Sequence, residues 1–144
     1  MSTCVRKIKV EDYKAIHELN VKLGYDSNEE KVKRSIISLV EAGTDIILVA
    51  EKDGMVVGYV HGCPYRTLYT ENLLTVVQYV FKTEYRFEEE LKQELLDTFE
   101  ARAKKNGYQG IRMTPNTQRE LLMKLFEENG YVSKRDLKHF IKYF

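Results

Sequence analysis

The strongest constraint on the fold is the run Leu73–Phe81, LLTVVQYVF, which is followed by a long helical pattern and then by a second short apolar run. Leu73–Phe81 is nearly continuous in apolar and β-branched residues, as a strand buried on both faces must be. Beyond it, Leu91, Leu95, Leu96, Phe99 and Ala103 recur at three- and four-residue spacing, on one face of a helix. This helix is expected from about Glu88 to Asn106, where Asn106-Gly107 supplies a left-handed stop. Ile111–Thr114 follows as a short strand ended by Pro115. Strand, helix and strand in that order predict a right-handed crossover between two neighbouring parallel strands.

The turn between Leu73–Phe81 and its helix carries a conflict. First-turn N–H groups have no partner inside a helix, so a helix start is a natural anion site. Here the first turn holds Glu88, Glu89 and Glu90. Each carboxylate suits the helix dipole by about 0.3–1 kcal/mol, and each would repel a phosphate. The stretch is built well as a helix and badly as a phosphate cradle.

Upstream, Val5–Val10 reads as a first strand. Asp12 can cap a helix that presents Tyr13, Ile16, Leu19 and Leu23 and stops at Gly24. Ser27-Asn28-Glu29-Glu30 fits a capping box with serine at the cap. Val32, Ile36, Leu39 and Val40 line the helix it starts, which ends at Gly43. Ile46–Lys52 and Met55–Tyr65 then flank Asp53-Gly54, a two-residue hairpin signal. Downstream, Thr117–Asn129 is a helix with Leu121, Leu122, Leu125 and Phe126 facing inward, ended by Gly130. The tail Tyr131–Phe144 has room for two short strands around Lys134-Arg135-Asp136.

The order is β-α-α-β-β-β-α-β-α-β-β. It predicts one α/β domain over residues 1–144: a mixed, mostly antiparallel sheet with a central parallel pair and helices on both faces. The net charge of +1, without a basic run among aromatics, argues against nucleic acid and acidic membrane as partners. No apolar stretch is long enough to span a bilayer, and MSTCVRKIKV lacks the apolar core of a signal peptide. Cys4 and Cys63 stand far apart without metal-type spacing, and read as reduced thiols in a cytoplasmic protein.

The element order resembles the GNAT superfamily of acetyl-CoA-dependent N-acetyltransferases, and local wording agrees along essentially the whole chain. Similar stretches are Ile46–Glu51 with Asp53-Gly54 and Val57-Gly58-Tyr59, Glu84-Tyr85-Arg86 before the central helix, and Phe126-Glu127-Glu128-Asn129-Gly130-Tyr131. The resemblance implies acetyl transfer from acetyl-CoA to a primary amine of a small molecule or peptide. It assigns coenzyme A to the end of the central strand, at Tyr79 and Phe81, and to Arg86, Phe87, Glu88, Glu89, Glu90, Leu91 and Lys92 in the turn. The strand's backbone would pair with the pantetheine arm like an added strand.

Two departures stand out. The family's turn reads R/Q-x-x-G-x-G/A, whose glycines let backbone amides close on the pyrophosphate. Anchored on Arg86, those positions hold Glu89 and Leu91; anchored on Leu95-Leu96, they hold Glu90 and Lys92. The family's fourth helix often carries a tyrosine that protonates the departing thiolate, and Phe126 stands at that position without a hydroxyl. The expectation is therefore weak or absent binding of acetyl-CoA. A non-catalytic binding or interaction module is the alternative reading.

His61 and Glu71 are the candidates for a general base, because the family's base often comes from this part of the sheet. Either could take the proton that makes an ammonium nucleophilic. His17 and His139 read as surface or packing residues, and nothing beside Cys63 lowers its pKa. Dimerisation is common in such folds, and the aromatic tail His139–Phe144 could supply an edge for a homodimer.

Overall fold

The computed structural model describes residues 2–113, 119–133 and 140–144, the side chains of residues 119–121 excepted. Five strands form one sheet in the order of the sequence: β1 (Thr3–Lys7), β2 (Ile46–Lys52), β3 (Met55–Tyr65), β4 (Leu73–Phe81) and β5 (Gly110–Met113). The first four are antiparallel neighbours. β4 and β5 run parallel, joined by the long helix α3 (Glu89–Lys105). Helices α1 (Tyr13–Lys22) and α2 (Glu29–Ala42) connect β1 to β2, and α4 (Arg119–Glu128) follows β5. The mixed sheet with one parallel pair is the predicted architecture. Thr114, Pro115, Thr117 and the tail strands around Lys134-Arg135-Asp136 lie outside the described residues, as does His139.

The sheet has a core on each side. Val57, Val60, Leu74, Tyr79 and Phe81 pack against Leu91, Leu95, Leu96 and Phe99 of α3 and Leu122, Leu125 and Phe126 of α4. On the other face Val49, Val56, Tyr59 and Val80 meet Ile16 and Leu19 of α1 and Val32 and Ile36 of α2. β4 is thus buried from both sides at Tyr79, Val80 and Phe81. The backbone also approaches α3 closely at Gly62. A Cβ there would stand 2.5 Å from Phe99 Cζ.

Local starts differ from the sequence reading in three places. β1 begins at Thr3 and stops at Lys7, because its partner register runs from Lys52 to Leu48; Val10 enters a 3-10 turn, Val10–Asp12. Asp12 does not cap α1. Its carboxylate instead accepts both guanidinium nitrogens of Arg6 at 2.9 Å and the Lys9 amide at 2.8 Å. Burial works against that charge, but these donors outweigh it and hold the Asp12 carboxyl below its usual range. The cap of α2 is Asn28, whose side chain accepts from the Lys31 amide at 2.8 Å, one residue later than the serine expected. The hairpin turn is as predicted, with Asp53 and Gly54 at φ of 51° and 79°.

Candidate functional site

The parallel ladder sets the site's geometry. β5 pairs with β4 only from Leu73 to Val76, opposite Gly110 to Met113. Beyond Val76, β4 continues to Phe81 with no strand beside it on that side among the described residues. At the same point the β3–β4 register slips: Gly62 pairs Val76 and His61 pairs Gln78, so Val77 is an extra residue. The bulge falls just where the ladder ends; bulges bend the strand that carries them and are a common device for aiming groups at a site. Val77 is exposed.

His61 sits against the bulge, on the α1/α2 face of β3. Its Nε2 lies 2.6 Å from Asp45 Oδ2, and both side chains are only partly covered. With Nε2–H donating to that carboxylate, Nδ1 carries the free lone pair. The sequence offered no motif for Asp45. It stands one residue before β2 and meets His61 through the β2–β3 register, with Ile47 opposite His61. Near the pair, Tyr59 donates to Asn20 at 2.7 Å, and Gln78 donates to the Tyr25 hydroxyl at 3.5 Å.

Glu71 is not brought to this place. It is exposed in the loop before β4, and the five residues from Leu73 to Gln78, the partner of His61, put roughly 16 Å between the start of β4 and the pair. An open cleft of about 420 Å³, lined by Gly43, Thr44, Pro64, Arg66, Asn106 and Tyr108, lies at that far end and holds none of the expected site residues.

The turn from Thr83 to Lys92 is closed on itself. Glu88 N–H donates to Tyr85 O at 3.1 Å and Glu89 N–H to Phe87 O at 2.9 Å. The first helical bond is from Lys92 N–H to Glu88 O, which leaves the Glu90 and Leu91 amides without an intrahelical acceptor. The cations are engaged too. Lys92, with its ammonium buried, donates to Arg86 O at 2.7 Å and pairs with Glu89 at 3.1 Å. Lys52 pairs with Glu88, which holds its ammonium above the usual range, and lies over the Tyr85 ring. Arg86 donates to Thr83 O and stacks on Phe87. These residues fit a pyrophosphate poorly: two amides and both lysines are already used. Leu91 is buried in the α3 core.

Tyr79 and Phe81 point to the α3 face, not toward the open edge. Both are buried, and the Tyr79 hydroxyl donates to Lys92 O at 2.5 Å. Burial pushes the Tyr79 phenol well above its ordinary range. What β4 offers a ligand beyond Val76 is its backbone. Phe126 is 4% exposed and wedged edge-on between Tyr79 and Tyr131, with ring centroids 5.5 and 5.6 Å away. Tyr131 in turn donates to Glu100 at 2.6 Å. Phe126 is a packed core residue in this arrangement.

Among the described residues no His, Cys and carboxylate groups are placed to hold a metal, and no helix is long and apolar enough to cross a membrane. Cys4 and Cys63 are free thiols, and burial raises the pKa of Cys63.

No family model matches the chain, and no curated protein matches it. Solved structures do. A GNAT family acetyltransferase from Staphylococcus aureus is 21% identical, with 100% of both chains covered and a TM-score of 0.75. Glucosamine-6-phosphate N-acetyltransferase from Arabidopsis thaliana is 16% identical over 100% of this chain and 99% of that one, with a TM-score of 0.78. AAC(6')-Iy, in complex with the bisubstrate analogue CoA-S-monomethyl-acetylneamine, is 9% identical over 100% of both chains, with a TM-score of 0.83. The chain has the GNAT acetyltransferase fold.

Proposed function

We propose that this protein transfers acetyl from acetyl-CoA to a primary amine at the place where β4 and β5 part, with a weakened hold on the pyrophosphate. The observation that carries the reading is the His61–Asp45 pair beside the Val77 bulge, at the start of the open backbone edge of β4. Bound acetyl-CoA would supply the acyl thioester. Nδ1 of His61 takes the proton from the substrate ammonium, and Asp45 fixes the ring and favours the imidazolium that forms. The freed amine would gain the acetyl carbon as the C–S bond breaks, the sulfur would leave as a thiolate, and the second nitrogen proton would pass through water to that thiolate, leaving a neutral amide and a free thiol. Thiolate is a tolerable leaving group, so Phe126 in place of a proton donor slows the reaction rather than forbidding it. Holding amine and thioester together along one strand edge supplies much of the acceleration. Fold neighbours that act on glucosamine-6-phosphate, or that hold a coenzyme A bisubstrate analogue, support acetyl-CoA as donor and an amine as acceptor.

A second reading has its own observation. Lys92 and Lys52 close the turn that would hold the pyrophosphate, which favours a non-catalytic binding module on the same fold. Thiol release from acetyl-CoA, measured over a panel of primary amines, separates the two. Turnover that falls roughly 10²–10⁴-fold in His61→Ala and clearly in Asp45→Asn is the expected result. Absence of both turnover and saturable acetyl-CoA binding would leave the binding module.

A further inference from the structure

α1 and α2 cover only part of their face of the sheet. They bury Val49, Val56, Tyr59 and Val80, whereas His61, Cys63, Tyr65, Thr75 and Arg112 on the same face remain partly exposed. The registers place these residues in a row across the strands. Cys63 pairs Thr75 on β4, and Thr75 pairs Arg112 on β5. Strand alternation keeps His61, Cys63 and Tyr65 on one side.

Arg112 is aimed along that row. Its Nη1 donates to Thr75 Oγ1 at 3.0 Å, and its guanidinium lies 4.2 Å from the centre of the Tyr65 ring. Among the described residues no carboxylate lies within ion-pair distance of it. A guanidinium held by a ring and a hydroxyl, with its remaining N–H groups uncommitted among the described residues, is preorganised for a planar or tetrahedral oxyanion. At the other end of the row Asp45 gives negative charge beside His61. His61 and Arg112 lie two strands apart and two residues along, about 12 Å between Cα atoms.

We infer that the acceptor carries an anionic group as well as its amine, with the ammonium at His61–Asp45 and a carboxylate or phosphate on Arg112 over Tyr65 and Thr75. The inference rests on the acetyl-transfer reading for its chemistry, but the anion site stands on geometry alone. Arg112 is a specificity residue here, not a catalytic one. Neutral amines should therefore react independently of it.

The test compares ε-aminocaproate with pentylamine, and aminopropyl phosphate with aminopropanol, in wild type, Arg112→Gln and Arg112→Lys. The expected result is a preference for one anionic member of these pairs in kcat/KM. Arg112→Gln should remove roughly 10- to 100-fold of that preference, the size of a charge-assisted hydrogen bond. Arg112→Lys should recover part of it, and the amines without an anionic group should be unaffected. Which pair shows the preference identifies the anion as carboxylate or phosphate. A second readout needs no turnover: in a Cys4→Ser background, mass spectrometry follows alkylation of Cys63, which lies in the row. Slowing of that alkylation by an anionic amine in wild type and Arg112→Lys but not Arg112→Gln supports the site even if no acetyl is transferred, and acetyl transfer alone then falls. An Arg112→Gln protein that retains the anionic preference, or equal behaviour of charged and neutral amines in both assays, overturns the inference.

Discussion

The self-closed turn before α3 yields a prediction whose size follows from its contacts. A phosphate against the first turn of α3 meets three carboxylates, but Glu88 is paired with Lys52 and Glu89 with Lys92. Net repulsion is then close to that of Glu90 alone: about 1 kcal/mol at 4 Å in water and about 4 kcal/mol at an effective dielectric of 20. Converting Glu88, Glu89 and Glu90 to glutamine removes this and frees both lysines, so acetyl-CoA affinity should rise at least about tenfold. Converting the same three residues to glycine removes the same charge and also the side chains that keep the backbone away. The Glu90 and Leu91 amides could then close on the phosphate, each worth about 1.5–3 kcal/mol. Two such bonds total about 3–6 kcal/mol, and a helix-start penalty of up to about 1 kcal/mol for each of the three glycines takes back about 3 of it, so glycine should exceed glutamine by up to about 10²-fold. Calorimetric titration of the three proteins with acetyl-CoA at low and high salt is the assay. Screening should shrink the gap between wild type and glutamine and leave the glycine gain largely intact. Tight saturable binding by wild type, or a glutamine variant that matches the glycine variant at both salts, would refute the reasoning.

Phe126→Tyr places a hydroxyl between Tyr79 and Tyr131 in a site that is 4% exposed. It should destabilise the fold by about 1–3 kcal/mol in urea denaturation, and raise acetyl transfer only if the hydroxyl reaches the thiolate. Gly62→Ala drives a Cβ to 2.5 Å from Phe99 and should lower stability by about 1–3 kcal/mol in the same assay. Asp12 is held below its usual range, so its contribution is present above the unfolded carboxyl pKa and is lost as pH falls through the lower folded value. Asp12→Asn, which leaves Arg6 without this partner, should be less stable than wild type at neutral pH, and the difference should narrow in acid denaturation below about pH 4.

What could be read from the chain was set by range. The Asp53-Gly54 turn, the α3 face through Leu91, Leu95 and Phe99, and the β4 run are short-period signals, and the structure holds all three. Asp12 and Ser27 looked like caps because cap chemistry is local. Arg6 claimed the first, and Asn28 displaced the second by one residue. Asp45, Lys52 and Arg112 were invisible for the opposite reason. Each acquires its partner through strand register or helix packing, at sequence separations of 16 to His61, 36 to Glu88 and 37 to Thr75. Glu71 illustrates the same limit. It is close in sequence to β4 but stands before Leu73, while His61 pairs with Gln78 further along the strand.

The sheet order also bears on how the molecule is assembled. Because β2, β3 and β4 are consecutive in sequence and adjacent in space, the meander from Ile46 to Phe81 needs only two short loop closures. β1 must instead wait for α1 and α2, since Thr3 pairs with Lys52 across both helices. Loop-closure entropy therefore places β1 last among the antiparallel strands to dock and first to peel away. Arg6, tied to both Asp12 and Glu51, is the latch that opposes this local unfolding, and hydrogen exchange at the β1 amides would report its release.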